Sequence, residues 1–461
     1  MLSARRNSRW LPTWLRVWAA DSAALLFSQF AAVVATSALA ILLARHLGPR
    51  NWGLFSGFLG LSLGLSIFVE FGLTQWLLRE LARLWVPQGP KSVSSRDRRR
   101  AGRLVVASLT VNAVLGLVMI VGAGVAAAIF RVGASSAVLL VALVAYGALV
   151  AACFGLEAVF RARRKLSRVV AATLLEKVLL LLLVLASVLA GADLFAIGVA
   201  YLVAGVAHLA FDLVCIVRSG DLVFAAPSRR SARYVTRRSF PFALNRASLN
   251  VIPRLDTFIL SALSPVAAGY FALGDRALGP VVIIPVVMSS ALFPFLAREP
   301  SGSRAGWRIV ALLAAAGSAI GAIGIVLAPR LVPAVFGSDY SHAIHTVQVM
   351  LLAIPFVFAA NPLLAHVYTA RLEHRRLGLG LGFVSFLGTG VVVAGQALVG
   401  SVGAAGGYVA RQAAIIVLLA LAGSARGSAS RFLRSPGPAR EQAFGKAQVE
   451  PSSAPNSGGV A

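Results

Sequence analysis

The sequence predicts an all-α integral membrane protein, with about 12 transmembrane helices in two six-helix halves that share one orientation. Three observations predict it: an apolar composition, twelve segments long enough to cross lipid, and a motif repeated between the halves. Hydrophobic residues make up 58% of the 461 and charged residues 13%, and the mean hydropathy is +0.83. A soluble domain is about 45–50% apolar and about 25% charged, so lipid is the expected solvent of this fold.

A spanning helix needs about 20 mostly apolar residues, because the hydrocarbon layer is about 30 Å thick and a helix rises about 1.5 Å per residue. In the first half the segments 22–44, 52–78, 104–130, 137–160, 169–190 and 194–217 meet that requirement. In the second half the segments are 240–263, 267–296, 309–328, 346–369, 377–399 and 402–421. The seventh is the least apolar, interrupted by Asn245, Arg246, Asn250, Arg254 and Asp256.

The basic residues test this assignment independently, since short cytoplasmic loops carry the excess of Lys and Arg. With both termini inside, 34 of the 43 Lys and Arg fall in inner segments, and the outer loops hold only Arg45, Arg50, Arg131 and Arg330. A net charge of +27 is thereby explained by topology, and no nucleic-acid partner is expected. The expected organisation is a cytoplasmic, interfacial N-terminus over 1–21, a first half over 22–217, a basic cytoplasmic linker over 218–239, a second half over 240–422, and a disordered cytoplasmic tail over 423–461. The first apolar run extends to Ala44, longer than a signal-peptide core, so it reads as a retained anchor. Trp10, Trp14 and Trp18, at i, i+4 and i+8, would sit on one face at the headgroups.

Cys153 and Cys215 both fall inside spans, far from metal-site spacing, and read as packing residues. Of the six histidines, His342 and His345 are near neighbours but lack further ligands beyond Asp339, so no metal is expected. A Gly-rich phosphate loop with Gly-Lys-Ser/Thr and an Asp-x-Asp pair are absent from the sequence, and neither a cofactor nor an enzyme is expected.

The repeat is more informative. Leu47-Gly48-Pro49 through Trp52-Gly53-Leu54-Phe55 returns 216 residues later as Leu263-Ser264-Pro265 through Ala268-Gly269-Tyr270-Phe271. Each copy joins the first and second helices of a half, and each second helix ends in Leu-Ala-Arg, at Leu81–Arg83 and Leu296–Arg298. Because six is even, the halves are related by an axis along the membrane normal and enclose a cleft.

Charges inside spans point to that cleft, because an ionised side chain at mid-membrane costs about 2.5–3.5 kcal/mol. Arg246, Asn250 and Arg254 form a polar stripe on the seventh helix, with Asp256 on another flank and Pro253 placed to kink it. Asp275 and Arg276 lie in the eighth helix, Glu176 and Lys177 in the fifth, and Arg411 in the twelfth. The cations Arg246, Arg254, Arg276, Lys177 and Arg411 suit an anionic, phosphate-bearing ligand. Asp256, Asp275 and Glu176 would balance charge or take a coupling proton or sodium ion. For any single residue the alternative is an interhelical ion pair, such as Arg254 or Arg276 with Asp256 or Asp275. Glu157 and Asp212 lie near helix ends and are weaker candidates, and Gly60 and Gly64 would permit close helix approach.

These residues resemble the bacterial polysaccharide flippases, the O-antigen and teichoic-acid type exporters of the multidrug, oligosaccharidyl-lipid and polysaccharide transporter superfamily. The resemblance covers nearly the whole chain before the tail. It rests on Ala44-Arg45-His46-Leu47-Gly48-Pro49, Glu70-Phe71-Gly72-Leu73, Arg254-Leu255-Asp256, Asp275-Arg276, Leu292-Phe293-Pro294 and Phe336-Gly337-Ser338-Asp339-Tyr340. It implies a V-shaped transporter in the bacterial cytoplasmic (inner) membrane that turns an undecaprenyl-diphosphate-linked oligosaccharide to the outer leaflet by alternating access. The partners it implies are that lipid-linked substrate, membrane lipids, a polysaccharide polymerase and glycosyltransferases. Arg254 and Asp256 match an Arg-x-Asp of the family's seventh helix, and Asp275-Arg276 a polar pair of its eighth. Three other readings remain: a drug or metabolite exporter, which would want an acidic cavity; a peptidoglycan-precursor flippase, which would have two further helices; and an integral-membrane glycosyltransferase or polymerase, which would need a large outer loop.

Overall fold

The structure is a computed structural model that describes residues 13–85, 94–220, 222–224, 226–298, 304–370 and 374–432. Those residues form helices throughout, with no strand among them. Helix α1 (Thr13–Glu70) holds two successive arms. Gly48 breaks it at φ 68°, ψ 173°, a backbone state open in practice only to glycine, and Pro49 pre-sets the first turn of the second arm. Phe71 and Gly72, both at positive φ, separate α1 from α2 (Leu73–Trp85), so the helix predicted over 52–78 is interrupted. The reason is packing: Leu73, Trp76, Leu77, Leu81 and Trp85 recur every three to four residues and are buried together, which re-aims α2 onto the bundle. Then come α3 (Ser95–Ile129), α4 (Ala134–Ala162), α5 (Leu166–Leu189) and α6 (Leu194–Ser219). Asp193 caps α6, its carboxylate accepting from the amides of Phe195 and Ala196 at 3.2 and 3.3 Å.

The second half holds α7 (Arg229–Asn250), α8 (Ile252–Leu263), α9 (Pro265–Arg298), α10 (Arg304–Phe336), a 3-10 helix (Ser338–Ala343), α11 (Ile344–Leu351), α12 (Ile354–Ala370), α13 (His374–Val399) and α14 (Ser401–Phe432). The span predicted over 240–263 is two helices that meet at Val251, with Pro253 in the first turn of α8. The second half of the predicted linker is helical as well. α7 begins at Arg229 because Val235 is wholly buried in the core beneath α2 and α3, and Tyr234 packs edge-on against Trp76. The tail predicted from 423 is helical as far as Phe432; residues 433–461 lie outside the described ones, as do 1–12 with Trp10. The outer loop expected around Pro329 is also part of a helix, since α10 carries Pro329 and Pro333 within it.

Ten helical segments among the described residues are long and apolar enough to cross a membrane. The first, Phe27–Trp85, contains 59 residues, enough for the two arms of α1, and the polar α7–α8 pair completes the layout. Val114, Leu117, Val118, Val121, Val125 and Ile129 on α3 are all exposed, a stripe at helical spacing that only lipid would solvate. This is a multi-pass membrane protein.

The two halves share one apolar core at one end and have separate cores at the other. The shared core takes Leu43, Trp52 and Phe55 from α1 together with Ala268, Phe271 and Tyr340. Toward the Arg-rich segments, one core gathers α2, α3, α4 and α7, and another gathers Val310, Leu363, Leu381 and Leu419. The halves therefore join at the Gly48 end through the shared core, and at the basic end, where their cores are otherwise separate, α7 of the second half docks on α2 and α3 of the first. Polar contacts reinforce the joined end: Tyr340 Oη donates to Ala44 O at 3.0 Å, and Arg45 Nε donates to Val335 O at 2.6 Å with its Nη2 on Ala334 O.

Candidate functional site

Between the halves lie two hollows that share a wall. The first, about 290 Å³, is lined by the first half, with Tyr146, Glu157, Glu176, Lys177 and His208 among its walls. The second, about 400 Å³, is lined by Ser56 and Gly60 of α1, Thr257 of α8, Asp275 of α9, and Tyr408 and Gln412 of α14. Leu59, Leu63, Arg254 and Arg276 border both. Their combined size is within the range of small-ligand cavities, about 300–1,000 Å³.

Arg254 reaches this wall because the break at Val251 starts α8 anew and because Gly60 lies under the Arg254 carbonyl, where a Cβ would stand only 2.8 Å away. The Arg254 side chain is exposed to the hollow and that of Arg276 half-exposed. Among the described residues no carboxylate lies within ion-pair distance of Arg276. Asp275 is exposed to the second hollow.

Arg411 and Asp256 line the second hollow but are bound to each other. Arg411 Nη1 donates to Asp256 Oδ2 at 2.5 Å, and Thr389 Oγ1 donates to the other carboxylate oxygen at 2.6 Å. Both charged side chains are 1% exposed, and the Arg411 guanidinium lies 5.1 Å over the Tyr408 ring. This pair ties α8 to α13 and α14. The partner of Asp256 is thus Arg411, in place of the Arg254 or Arg276 that the sequence suggests. Gly388 makes room for it, since a Cβ there would collide with the Arg411 side chain.

In the first half Glu176 accepts from Tyr146 Oη at 2.6 Å and from Lys177 Nζ at 2.9 Å. It also meets His208 Nδ1 at 2.8 Å. Glu157 accepts from Arg161 Nη2 at 2.7 Å. Of the sequence-derived set, Lys177, Arg254, Arg276, Arg411, Asp256, Asp275 and Glu176 all border the hollows or their walls. Arg246 lies on α7, and its side chain is outside the described residues.

Sequence reasoning missed Arg161, counted in an inner loop, and His208, left among isolated histidines. It also ranked Glu157 and Asp212 too low, although they are 2% and 0% exposed. A signal existed: Glu157 with Arg161, and His208 with Asp212, are each spaced i, i+4 and so share one helix face. The fourth and sixth spans are predicted to end at 160 and 217, two residues before α4 and α6 do, so Arg161 reads as loop and Glu157 and Asp212 as residues near helix ends.

The fold and this cavity define a multi-pass helical membrane protein with a charged hollow between its halves. The chain belongs to the polysaccharide biosynthesis protein family, which it matches over residues 19–299. It is similar in structure to an inward-facing multidrug resistance MATE family transporter of the MOP superfamily, at 18% identity and a TM-score of 0.60, over 88% of this chain and 96% of that one. It is also similar to the lipid II flippase MurJ in an inward closed conformation, at 11% identity and a TM-score of 0.59, over 87% of this chain and 86% of that one. A MOP superfamily transporter from Pyrococcus furiosus, described as having a binding pocket of reverse polarity, matches at 16% identity and a TM-score of 0.51, over 88% of this chain and 94% of that one. No curated protein matches the chain.

Proposed function

We propose that this protein carries an undecaprenyl-diphosphate-linked oligosaccharide across the bacterial cytoplasmic membrane by alternating access, with both termini on the cytoplasmic side. The observation that carries this reading is the wall common to the two hollows, where Arg254 and Arg276 stand together. Arg161 and Lys177 line the first hollow as well. Arginine grips a diphosphate through a planar fork of donors, and a cavity with little water strengthens that grip. The separate apolar cores toward the basic end favour that side, where α7 would have to yield, for entry of the head group while the lipid tail remains in the bilayer. Membership of the polysaccharide biosynthesis protein family and the fold shared with a lipid II flippase support a lipid-linked glycan as cargo. Polymerase and glycosyltransferases are the partners this role calls for.

The test is leaflet exchange of a fluorescent undecaprenyl-diphosphate oligosaccharide in liposomes, with native protein, Arg254→Ala and Arg276→Ala. Native protein is expected to speed exchange, and each folded variant to lose at least about tenfold, the scale of one charge-assisted contact. If no glycan is exchanged under a proton or a sodium gradient, the reading gives way to export of a small molecule.

A further inference from the structure

Three helices bring together a cluster of ionisable side chains, of which Glu157, Arg161, Glu176, Lys177 and His208 line the first hollow. α4 supplies Cys153, Glu157 and Arg161, α5 supplies Glu176 and Lys177, and α6 supplies His208 and Asp212. Arg161 serves Glu157 and Lys177 serves Glu176. Asp212 is fully buried, and neither of its oxygens has a hydrogen-bond partner among the described residues. The nearest positive candidate is His208 Nε2 at 3.6 Å, and the same nitrogen lies 3.6 Å from Glu157 Oε1. That nitrogen also makes no hydrogen bond. The other ring nitrogen, Nδ1, lies 2.8 Å from Glu176 Oε2; an ionised carboxylate only accepts, so Nδ1 carries a hydrogen. A neutral His208 would then aim its Nε2 lone pair at two buried carboxylates.

With all three acids ionised, the charges around it do not balance without one more cation; the alternative is a proton on Asp212 itself. Three carboxylates, Glu157, Glu176 and Asp212, meet two permanent cations, Arg161 and Lys177, and a buried uncompensated charge is strongly disfavoured. The remaining groups facing the cluster do not supply it. Tyr146 on α4 and Tyr201 on α6 are neutral phenols, α1 contributes Ser28, Gln29 and Thr36 to the wall, and Arg254 and Arg276 approach from α8 and α9 on its other side. On α3, behind α4, Asn112 donates to Ala151 O at 3.4 Å.

We infer that His208 is a proton-binding site, at which a proton from the cavity water joins the Nε2 lone pair and forms an imidazolium shared by Glu157, Glu176 and Asp212. The protonated ring also governs Arg161 and Lys177, which line the same hollow. With His208 charged, Glu157 and Glu176 keep a cationic neighbour while Arg161 and Lys177 turn to an anionic ligand. With His208 neutral, the two acids hold those cations back. Proton and anion therefore bind together, each raising the occupancy of the other. This coupling rests on the flippase reading; the proton site does not. A divalent metal is the rival occupant, because Cys153, His208 and Asp212 present atoms within 4.8 Å of one another. The guanidinium and ammonium groups beside them favour the smaller charge.

Two measurements test this on the full chain in nanodiscs. Nitrogen NMR of histidine-labelled protein, with His208 assigned by its loss in His208→Gln, is expected to show an imidazolium near neutral pH that loses its Nε2 hydrogen as pH rises. Asp212→Asn, which removes the excess negative charge, should move that titration to lower pH, and it serves if His208→Gln does not fold. A neutral His208 in mildly acidic buffer, or stoichiometric zinc in the purified protein, overturns the site. Calorimetry with geranyl diphosphate from neutral to alkaline pH is expected to show affinity falling by up to about tenfold per pH unit once His208 has discharged. Asp212→Asn should be nearly flat over that range. A flat native profile, or a profile that sodium in place of choline abolishes, overturns the coupling. Absence of diphosphate binding at every pH overturns the flippase reading and the coupling with it, while the nitrogen spectrum still decides the proton site.

Discussion

Gly53 and Gly269 occupy equivalent places in the two copies of the repeat and pack against each other. A Cβ on Gly53 would strike the Pro265 carbonyl and the Gly269 amide, and a Cβ on Gly269 would strike the Pro49 carbonyl and touch the Gly53 amide. The contact is reciprocal, as an axis relating the halves requires.

Filling that contact should force the joined ends apart. Gly53→Val is expected to widen the distance between spin labels placed at Arg50 and Val266, measured by electron–electron double resonance, and to slow leaflet exchange about tenfold or more. Such a loss corresponds to a change of about 1.4 kcal/mol between conformations. An unchanged distance distribution would mean that the contact plays no part in closure.

The Arg411–Asp256 pair should be structural. Removing one member of a buried ion pair leaves the other uncompensated, at a cost of about 3–5 kcal/mol. Asp256→Ala and Arg411→Ala are each expected to lower thermal stability sharply, and the double variant to recover part of the loss. Gly388→Ala, which crowds the Arg411 side chain, should weaken the protein in the same direction. If Arg411→Ala keeps its stability but loses diphosphate binding, Arg411 belongs to the ligand and not to the fold.

Tyr146 offers a finer test of the first hollow. Its hydroxyl donates to Glu176 at 2.6 Å, and a hydrogen bond to an ionised group contributes about 1.5–3 kcal/mol. Tyr146→Phe should therefore cost stability on that scale while leaving the cavity's volume almost unchanged. Denaturation in detergent of the two proteins measures it, and equal midpoints would show Glu176 to be satisfied by Lys177 and His208 alone.

The proposed orientation rests on the distribution of basic residues. With Cys153 and Cys215 replaced by Ala, a cysteine at Arg50 is expected to react with a membrane-impermeant maleimide on intact cells, and one at Ser231 only after the membrane is opened. The reverse pattern would invert the proposed topology.

Much of this protein is legible in its sequence because lipid imposes simple rules. Helix length, the excess of basic residues on one side and the exclusion of charge from the bilayer act on local composition. The all-helical, multi-pass fold was therefore within reach of the chain alone, and Lys177, Arg254 and Arg276 could be singled out there as charges inside spans. Where local rules ended, so did the reading. The division of the seventh span at Val251, the break at Phe71 and Gly72, and the docking of α7 through Val235 depend on neighbours distant in sequence. Pairing depended on them most of all. Asp256 finds Arg411 across 155 residues, and Glu176 meets His208 across 32, because helix packing brings those faces together. An ionisable residue in a span announces in sequence that it needs a partner or a ligand; only the arrangement of helices decides which of the two it receives.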